Sequence, residues 1–214
     1  MNKIKTIICG PLDVNCFIIY NAYTKDCMVI DPAEFAPVEG FLQEMGTTPS
    51  HVLLTHGHFD HIGGVAALRR QYGARVCIHE NEAAALYDTK ESLAMTCFPP
   101  VEPCRADILL AGGEEITQNG ITLHAIYTPG HSPGGICYLL RSEKALFTGD
   151  TLFYMSVGRT DLPGGDADTL YSSITGKLFT LDGAYTVYPG HMGVTTLLDE
   201  KQKNPYIRLP RGRQ

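Results

Sequence analysis

Thr55-His56-Gly57-His58-Phe59-Asp60-His61 sets three imidazoles and a carboxylate close together, directly after the apolar run 51–55, which reads as a β-strand. Residues two apart on an extended chain face the same way, so His56 and His58 converge if extended geometry persists through the turn. Asp60 and His61 then open a helix, whose turned backbone aims them at an adjacent point and whose positive end suits the carboxylate. Gly57, Gly63 and Gly64 let the chain bend and pack closely. Neutral imidazoles and carboxylates together suit divalent zinc, and also iron or manganese. The competing reading is a hydrated surface loop rich in histidine.

Working outward, short apolar runs bounded by turn formers recur at 16–20, 27–30, 75–78, 121–127, 135–140, 145–147 and 185–188, and they too read as strands. Phe35, Val38, Phe41, Leu42 and Met45 fall at helical spacing, as do Ile62, Val65, Leu68 and Tyr72, with Gly46 and Gly73 placed as C-terminal caps. Further helices are predicted over 80–87, 166–178 and 195–202, and a surface loop over 89–113, where Pro99, Pro100 and Pro103 oppose regular structure. The two halves echo each other. A strand, a turn and a second strand lead to Asp31 in the first and to Asp150 in the second, and Pro-Gly-His occurs at 129–131 and again at 189–191. The expected fold is α/β: a four-layer sandwich of two αβ halves stacked sheet to sheet, a single domain over 1–214.

Composition narrows the function. Asp and Glu number 23 against 17 Lys and Arg, a net charge of −6, and the one basic stretch is the tail at 209–214, which disfavours a nucleic-acid scaffold. Seven cysteines, an odd number scattered through apolar runs, point to a reducing compartment rather than a disulfide framework. Asp13 and Asn15 interrupt the N-terminal apolar segment, and nowhere do about 18 apolar residues run together. The expectation is a soluble, cytoplasmic protein with no membrane contact and no obligate protein partner. Neither Gly112-Gly113 nor Gly134-Gly135 has dinucleotide-motif spacing.

His51, His79 and His124 lie within or at the ends of predicted strands and read as structural. His131, Asp150 and His191 each follow a strand through a short turn, and stacked sheets gather such strand ends along one edge. With His56, His58, Asp60 and His61 they make seven ligands, enough for two metal ions.

These segments, with Thr128-Pro129-Gly130-His131-Ser132-Pro133-Gly134, Phe147-Thr148-Gly149-Asp150-Thr151-Leu152-Phe153, Gly158-Arg159-Thr160-Asp161 and Pro189-Gly190-His191, resemble the metallo-β-lactamase superfamily over essentially the whole chain. Within it the chain is similar to glyoxalase II-like hydrolases of the short bacterial type. The resemblance implies an αβ/βα sandwich with His56, His58 and His131 on one metal, Asp60, His61 and His191 on a second, and Asp150 bridging both. Zinc is the commonest occupant in the family, with iron or manganese as substitutes.

Two such cations acidify a shared water and polarise a carbonyl, so the expected reaction is hydroxide attack on a small-molecule thioester, such as a hydroxyacylglutathione, or on an ester. Asp60 and Asp150 are the catalytic carboxylates; for Asp60 a ligand role is preferred to that of general base, since coordination lowers basicity. Asp31 reads as a partner that accepts an imidazole hydrogen bond from a ligand, or else as a turn carboxylate. Arg159 and Asp161 read as an ion pair that orients the loop beside Asp150, with direct substrate contact as the alternative.

The stretch after His191 is too short for the helical substrate-binding domain of longer glyoxalase II enzymes, and Asn204-Pro205-Tyr206-Ile207 resembles the ending of the short branch, with Tyr206 and Ile207 at the pocket rim. The enzyme alternative is an iron-dependent persulfide dioxygenase, and the non-enzymatic one a metal-stabilised binding protein. A lactonase, β-lactamase or nuclease ranks lower: no cysteine stands near Asp150 or His191, and the long insert of RNA-processing relatives is missing.

Overall fold

The computed structural model describes residues 2–21, 23–95 and 100–208. The first sheet has the order β1 (Asn2–Cys9), β2 (Val14–Asn21), β3 (Asp26–Ile30), β4 (Thr48–Leu53), β5 (Arg75–His79) and β6 (Ile108–Leu110). Short turns join β1 to β3, which therefore pair antiparallel. From β3 onward the pairing is parallel, because each crossover carries enough chain to return to the same edge. Helix α1 (Phe35–Met45) links β3 to β4, and α2 (Phe59–Ile62) and α3 (Val65–Tyr72) link β4 to β5.

The second sheet repeats that plan. β7 (Glu115–Gln118), β8 (Ile121–Tyr127), β9 (Ile136–Leu140) and β10 (Ala145–Gly149) form an antiparallel meander. A ribbon of β11 (Leu152–Phe153) and β12 (Ser156–Val157) and helix α4 (Ala167–Ser173) then lead to β13 (Thr186–Pro189), parallel to β10. β14 (Thr195–Thr196) completes that edge, before α5 (Leu197–Lys203) and α6 (Pro205–Arg208).

Four layers result, and alternation along β2 shows why. Phe17 and Ile19 point into the core between the sheets, whereas Cys16 and Ile18 point into the core under the helices. A strand covered on both faces reads as a continuous apolar run rather than as an alternating one. Between the sheets the Phe17 and Phe147 rings lie 5.2 Å apart, and Phe147 stacks on Tyr188. Truncating such a ring to alanine costs about 3–5 kcal/mol. Val38 and Leu42 of α1 with Val65 and Leu68 of α3 close the first outer core; Leu170 and Leu197 cover the second.

Several expectations change. The stretch 89–113 contains β6, an edge strand set by its pairing with β5, a long-range contact that three residues of pattern cannot announce. Pro99 of that stretch lies outside the described residues. The helix expected from Ile62 to Tyr72 is broken at Gly63-Gly64, and the one expected over 80–87 is a 3₁₀ segment, Glu80–Leu86. Over 195–202, Thr195–Thr196 are strand, and the Thr196 side chain caps α5 by accepting the Asp199 N–H. β1, β7 and the β11–β12 ribbon were not anticipated.

Gly46 and Gly73 do end α1 and α3 in the left-handed conformation, at φ 59° and 67°. Cys9, Cys16, Cys27, Cys77, Cys104 and Cys137 are free, and Cys97 lies outside the described residues. Among the described residues no helix is long and apolar enough to cross a membrane.

Candidate metal centre

The sheet edges meet where β4, β10 and β13 end. Three backbone hydrogen bonds stitch that edge together: Ile136 N–H to Thr55 O at 2.8 Å, Gly190 N–H to Gly149 O at 2.8 Å and Asn15 N–H to Gly190 O at 2.7 Å. The turns they hold carry His56, Asp150 and His191. His58 stands just ahead of α2, and Asp60 and His61 lie in its single turn, as the sequence implied.

All seven side chains named from the sequence come together. One donor atom from each of His56, His58 and His131 lies within 4.8 Å of the other two, and the same holds for Asp60, His61 and His191. Asp150 stands between the groups: its Oδ1 is 3.4 Å from His61 Nε2, and its Oδ2 is 3.6 Å from His191 Nε2 and 3.7 Å from His131 Nε2. A third combination joins Asp31 to His56 and His61. The Asp31 oxygens, however, are taken by three donors: Thr55 N–H at 2.8 Å, Thr55 Oγ1 at 2.6 Å and His61 Nδ1 at 3.0 Å.

Hydrogen bonds behind the rings decide which nitrogen each one presents. The carbonyls of Arg159 and Leu12 can only accept, so His131 Nδ1 at 2.8 Å and His191 Nδ1 at 3.1 Å carry protons, which leaves Nε2 as the nitrogen each turns toward the cluster. His61 Nδ1 donates to Asp31. The Thr55 hydroxyl, its proton committed to Asp31, accepts from His56 Nδ1 at 3.1 Å. His58 turns the other way, its Nδ1 lying 3.0 Å from His131 Nε2. Among the described residues the buried side-chain atoms left without a hydrogen-bond partner are His56 Nε2, His61 Nε2, Asp150 Oδ1 and Ser132 Oγ, the first three within the donor cluster. Buried lone pairs left unpaired are costly, and a cation satisfies them.

Charge differs across the centre. Burial, then the neighbouring imidazoles, push His56 well below its ordinary value and His58 down to about 4, which keeps both neutral. Burial acts the same way on His61 and His191, but the Asp150 and Asp31 carboxylates around the first, and Asp60 and Asp150 beside the second, outweigh it and raise both. Burial pushes Asp150 up, and His61, His131 and His191 more than reverse this, to about 2; Asp60 is likewise held below its usual range by His191 and His61.

Arg159 and Asp161 form a two-pronged ion pair at 2.7 and 2.8 Å in solvent, and it is the Arg159 backbone that touches a site histidine. His51, His79 and His124 belong to none of the donor groups; His124 pairs with Glu115 at 3.1 Å, and His79 stacks on Tyr127. The sequence reading missed Thr55 and Glu82 as parts of the centre, and the Leu12 carbonyl, which comes from the β1–β2 turn.

His58, Asp60, His131, Asp150 and His191 line a cleft of about 540 Å³ walled by Leu12, Phe59, Leu93, Phe153 and Met192, while His56 and His61 are buried outside its lining. An adjoining groove shares Arg159 with it and reaches Tyr206 and Ile207.

Residues 9–191 match the metallo-β-lactamase superfamily. The chain belongs to that family. Among curated members it is 36% identical to a probable metallo-hydrolase of Bacillus subtilis, over 92% of this chain and 94% of that one. It is 32% identical to the hydroxyacylglutathione hydrolase GloC of Haemophilus influenzae, over 90% and 92%. Among solved structures the BLEG-1 B3 metallo-β-lactamase has a TM-score of 0.90 at 36% identity, covering 96% of this chain and 100% of its own. TTHA1623, crystallised in a di-iron-bound form, scores 0.83 at 30% identity with 94% and 99% covered. ETHE1 from Myxococcus xanthus scores 0.78 at 29% identity with 98% and 92% covered. The metal-coordinating cluster is of the kind typical of hydrolases in this superfamily, with two donor groups that suit a dinuclear cofactor.

Proposed function

We propose that the protein is a dinuclear metallohydrolase that cleaves thioesters of the hydroxyacylglutathione type. In this reading His56, His58 and His131 hold one cation, Asp60, His61 and His191 hold the other, and Asp150 is shared. The observation that carries it is that His56 Nε2, His61 Nε2 and Asp150 Oδ1, buried and without a hydrogen-bond partner among the described residues, lie in one donor cluster. Zinc is the first choice of metal, with iron and manganese as substitutes. Bound there, two divalent cations supply hydroxide near neutral pH and draw charge from a substrate carbonyl.

The chain's own residues do the rest. Asp31, Thr55 and the carbonyls of Arg159 and Leu12 hold the ring nitrogens in the ligating orientation. Asp60, within 3.3 Å of His191 Nε2 and 3.5 Å of His61 Nε2 and acidified by both, is a poor proton acceptor, which favours the ligand role over that of general base. Leu12, Phe59, Phe153 and Met192 offer an acyl group apolar contact at the cleft wall, and the groove reaching Tyr206 and Ile207 gives room for the departing thiol. The likeness to GloC over most of both chains supports the thioester, and the likeness to BLEG-1 makes lactam cleavage the first rival.

Tag-free protein is assayed for zinc, iron and manganese per chain. Thiol release from S-lactoylglutathione is then followed beside oxygen uptake with glutathione persulfide and loss of a cephalosporin chromophore. The expected result is two metals per chain and thiol release that stops on chelation and returns with metal, without oxygen uptake. Oxygen consumption by protein carrying one iron per chain assigns the persulfide dioxygenase instead, and faster lactam than thioester turnover assigns a lactamase.

A further inference from the structure

Glu82 is a carboxylate at 5% exposure, and among the described residues no cation lies in ion-pair range of it. A buried, unpaired carboxylate is costly unless hydrogen bonds replace the lost water. Two do. Its Oε2 accepts the Gly57 N–H at 3.1 Å, and its Oε1 accepts the Gly134 N–H at 2.8 Å. Gly57 stands between His56 and His58, and Gly134 lies in the turn that begins at His131. One side chain therefore grips both loops whose imidazoles make up the His56–His58–His131 group.

The glycines are part of the grip. A Cβ on Gly57 would lie 2.4 Å from the Ala85 Cβ and 3.0 Å from Glu82 Oε2, and one on Gly134 would lie 2.5 Å from Glu82 Cγ. Only bare backbone lets the carboxylate in from both sides. Glu82 reaches the centre from the 3₁₀ segment Glu80–Leu86, far from either loop in sequence.

We propose that Glu82 is a positioning residue which sets the spacing of His56, His58 and His131 as one metal site while leaving the Asp60–His61–His191 site to other supports. The role rests on the metal assignment proposed above. A glutamine at this position has one oxygen and one NH₂, so one of the two backbone N–H groups meets another donor and one loop is released.

The test is cobalt(II) titration of the full chain, read by visible absorption, in two backgrounds. His191→Ala leaves the first site intact, and His58→Ala leaves the second. Glu82→Gln is expected to weaken cobalt binding roughly 10–100-fold in the His191→Ala background. In the His58→Ala background it is expected to weaken binding by a clearly smaller factor, because neither Glu82 hydrogen bond reaches the loops of His61 or His191 directly. Equal weakening in both backgrounds is general loosening of the fold and overturns the role, as does no change in either. Should Glu82→Gln fail to fold, Glu82→Asp keeps the charge, shortens the reach and is read against the same two outcomes. Absence of cobalt uptake by the unsubstituted chain overturns the metal assignment itself, which separates that failure from failure of Glu82.

Discussion

Asp31 and Asp150 hold the same place in the two halves of the molecule, each at the end of the strand that precedes the crossover, and they have opposite surroundings. Asp31 is 1% exposed, at φ 49°, with both oxygens taken by Thr55 and His61. Asp150 follows Gly149 at φ 46° and keeps a buried oxygen with no hydrogen-bond partner among the described residues. Sharp left-handed turns put both carboxylates at the strand ends, yet only one is left with lone pairs for a ligand. His61 spans the pair, Nδ1 toward Asp31 and Nε2 toward Asp150. Duplicated topology thus supplies two carboxylates, and local donors split them into one that orients and one that is available to coordinate.

That division can be broken at its stronger end first. Asp150→Asn removes the charge shared by both donor groups, and the expected outcome is loss of stoichiometric metal, with activity falling further than the ~10–100-fold typical of an outer hydrogen-bond partner. Elemental analysis after dialysis and the thioester assay check it. Asp31→Ala is expected to keep both ligand groups but weaken metal binding by ~10–100-fold, because His61 and, through Thr55, His56 lose their orientation. The same change leaves the Thr55 N–H and hydroxyl buried without their acceptor, at about 1–3 kcal/mol each, read from urea unfolding of the metal-free chain.

Acid sharpens the contrast between the two groups. His61 and His191 titrate above their ordinary value, so protons compete with a cation there from higher pH, whereas His56 and His58, at about 4 for the latter, stay neutral. Lowering the pH from about 8 to about 6 is expected to strip cobalt from the Asp60–His61–His191 group before the other, by as much as about tenfold in affinity per pH unit for each competing proton. Loss from both groups in parallel would contradict the assignment. The smallest effect belongs to Asp161→Asn. Since the Arg159 carbonyl rather than its guanidinium holds His131, metal stoichiometry and the unfolding midpoint are expected to stay unchanged.

His56, His131, Asp150 and His191 were legible as candidate donors because each follows the end of a strand. A strand end is marked locally by apolar residues followed by Gly, Pro or Thr, as at Thr128-Pro129-Gly130-His131 and Pro189-Gly190-His191. α1 was equally legible, since its buried stripe and its Gly46 cap are both local signals. β6 was not: its pairing with β5 crosses the stretch between Leu86 and Asp107, and its anchor is the Asp107 side chain, which accepts from Val76 N–H at 3.0 Å and from Arg69. Glu82 was invisible for the same reason, being one acidic residue in a helical-looking run.

Sequence by itself determined the residue types of both donor groups, the doubled strand–turn–strand plan and the alternation of buried faces, because these depend on near neighbours and on the period of the backbone. Only the tertiary structure decided which carboxylate is saturated and which is free, which nitrogen each imidazole presents, and that Leu12, Glu82 and the backbone carbonyl of Arg159 reach the centre. Those outcomes depend on hydrogen bonds between segments up to 179 positions apart, as between His191 and Leu12, whose geometry exists only once the two sheets have stacked.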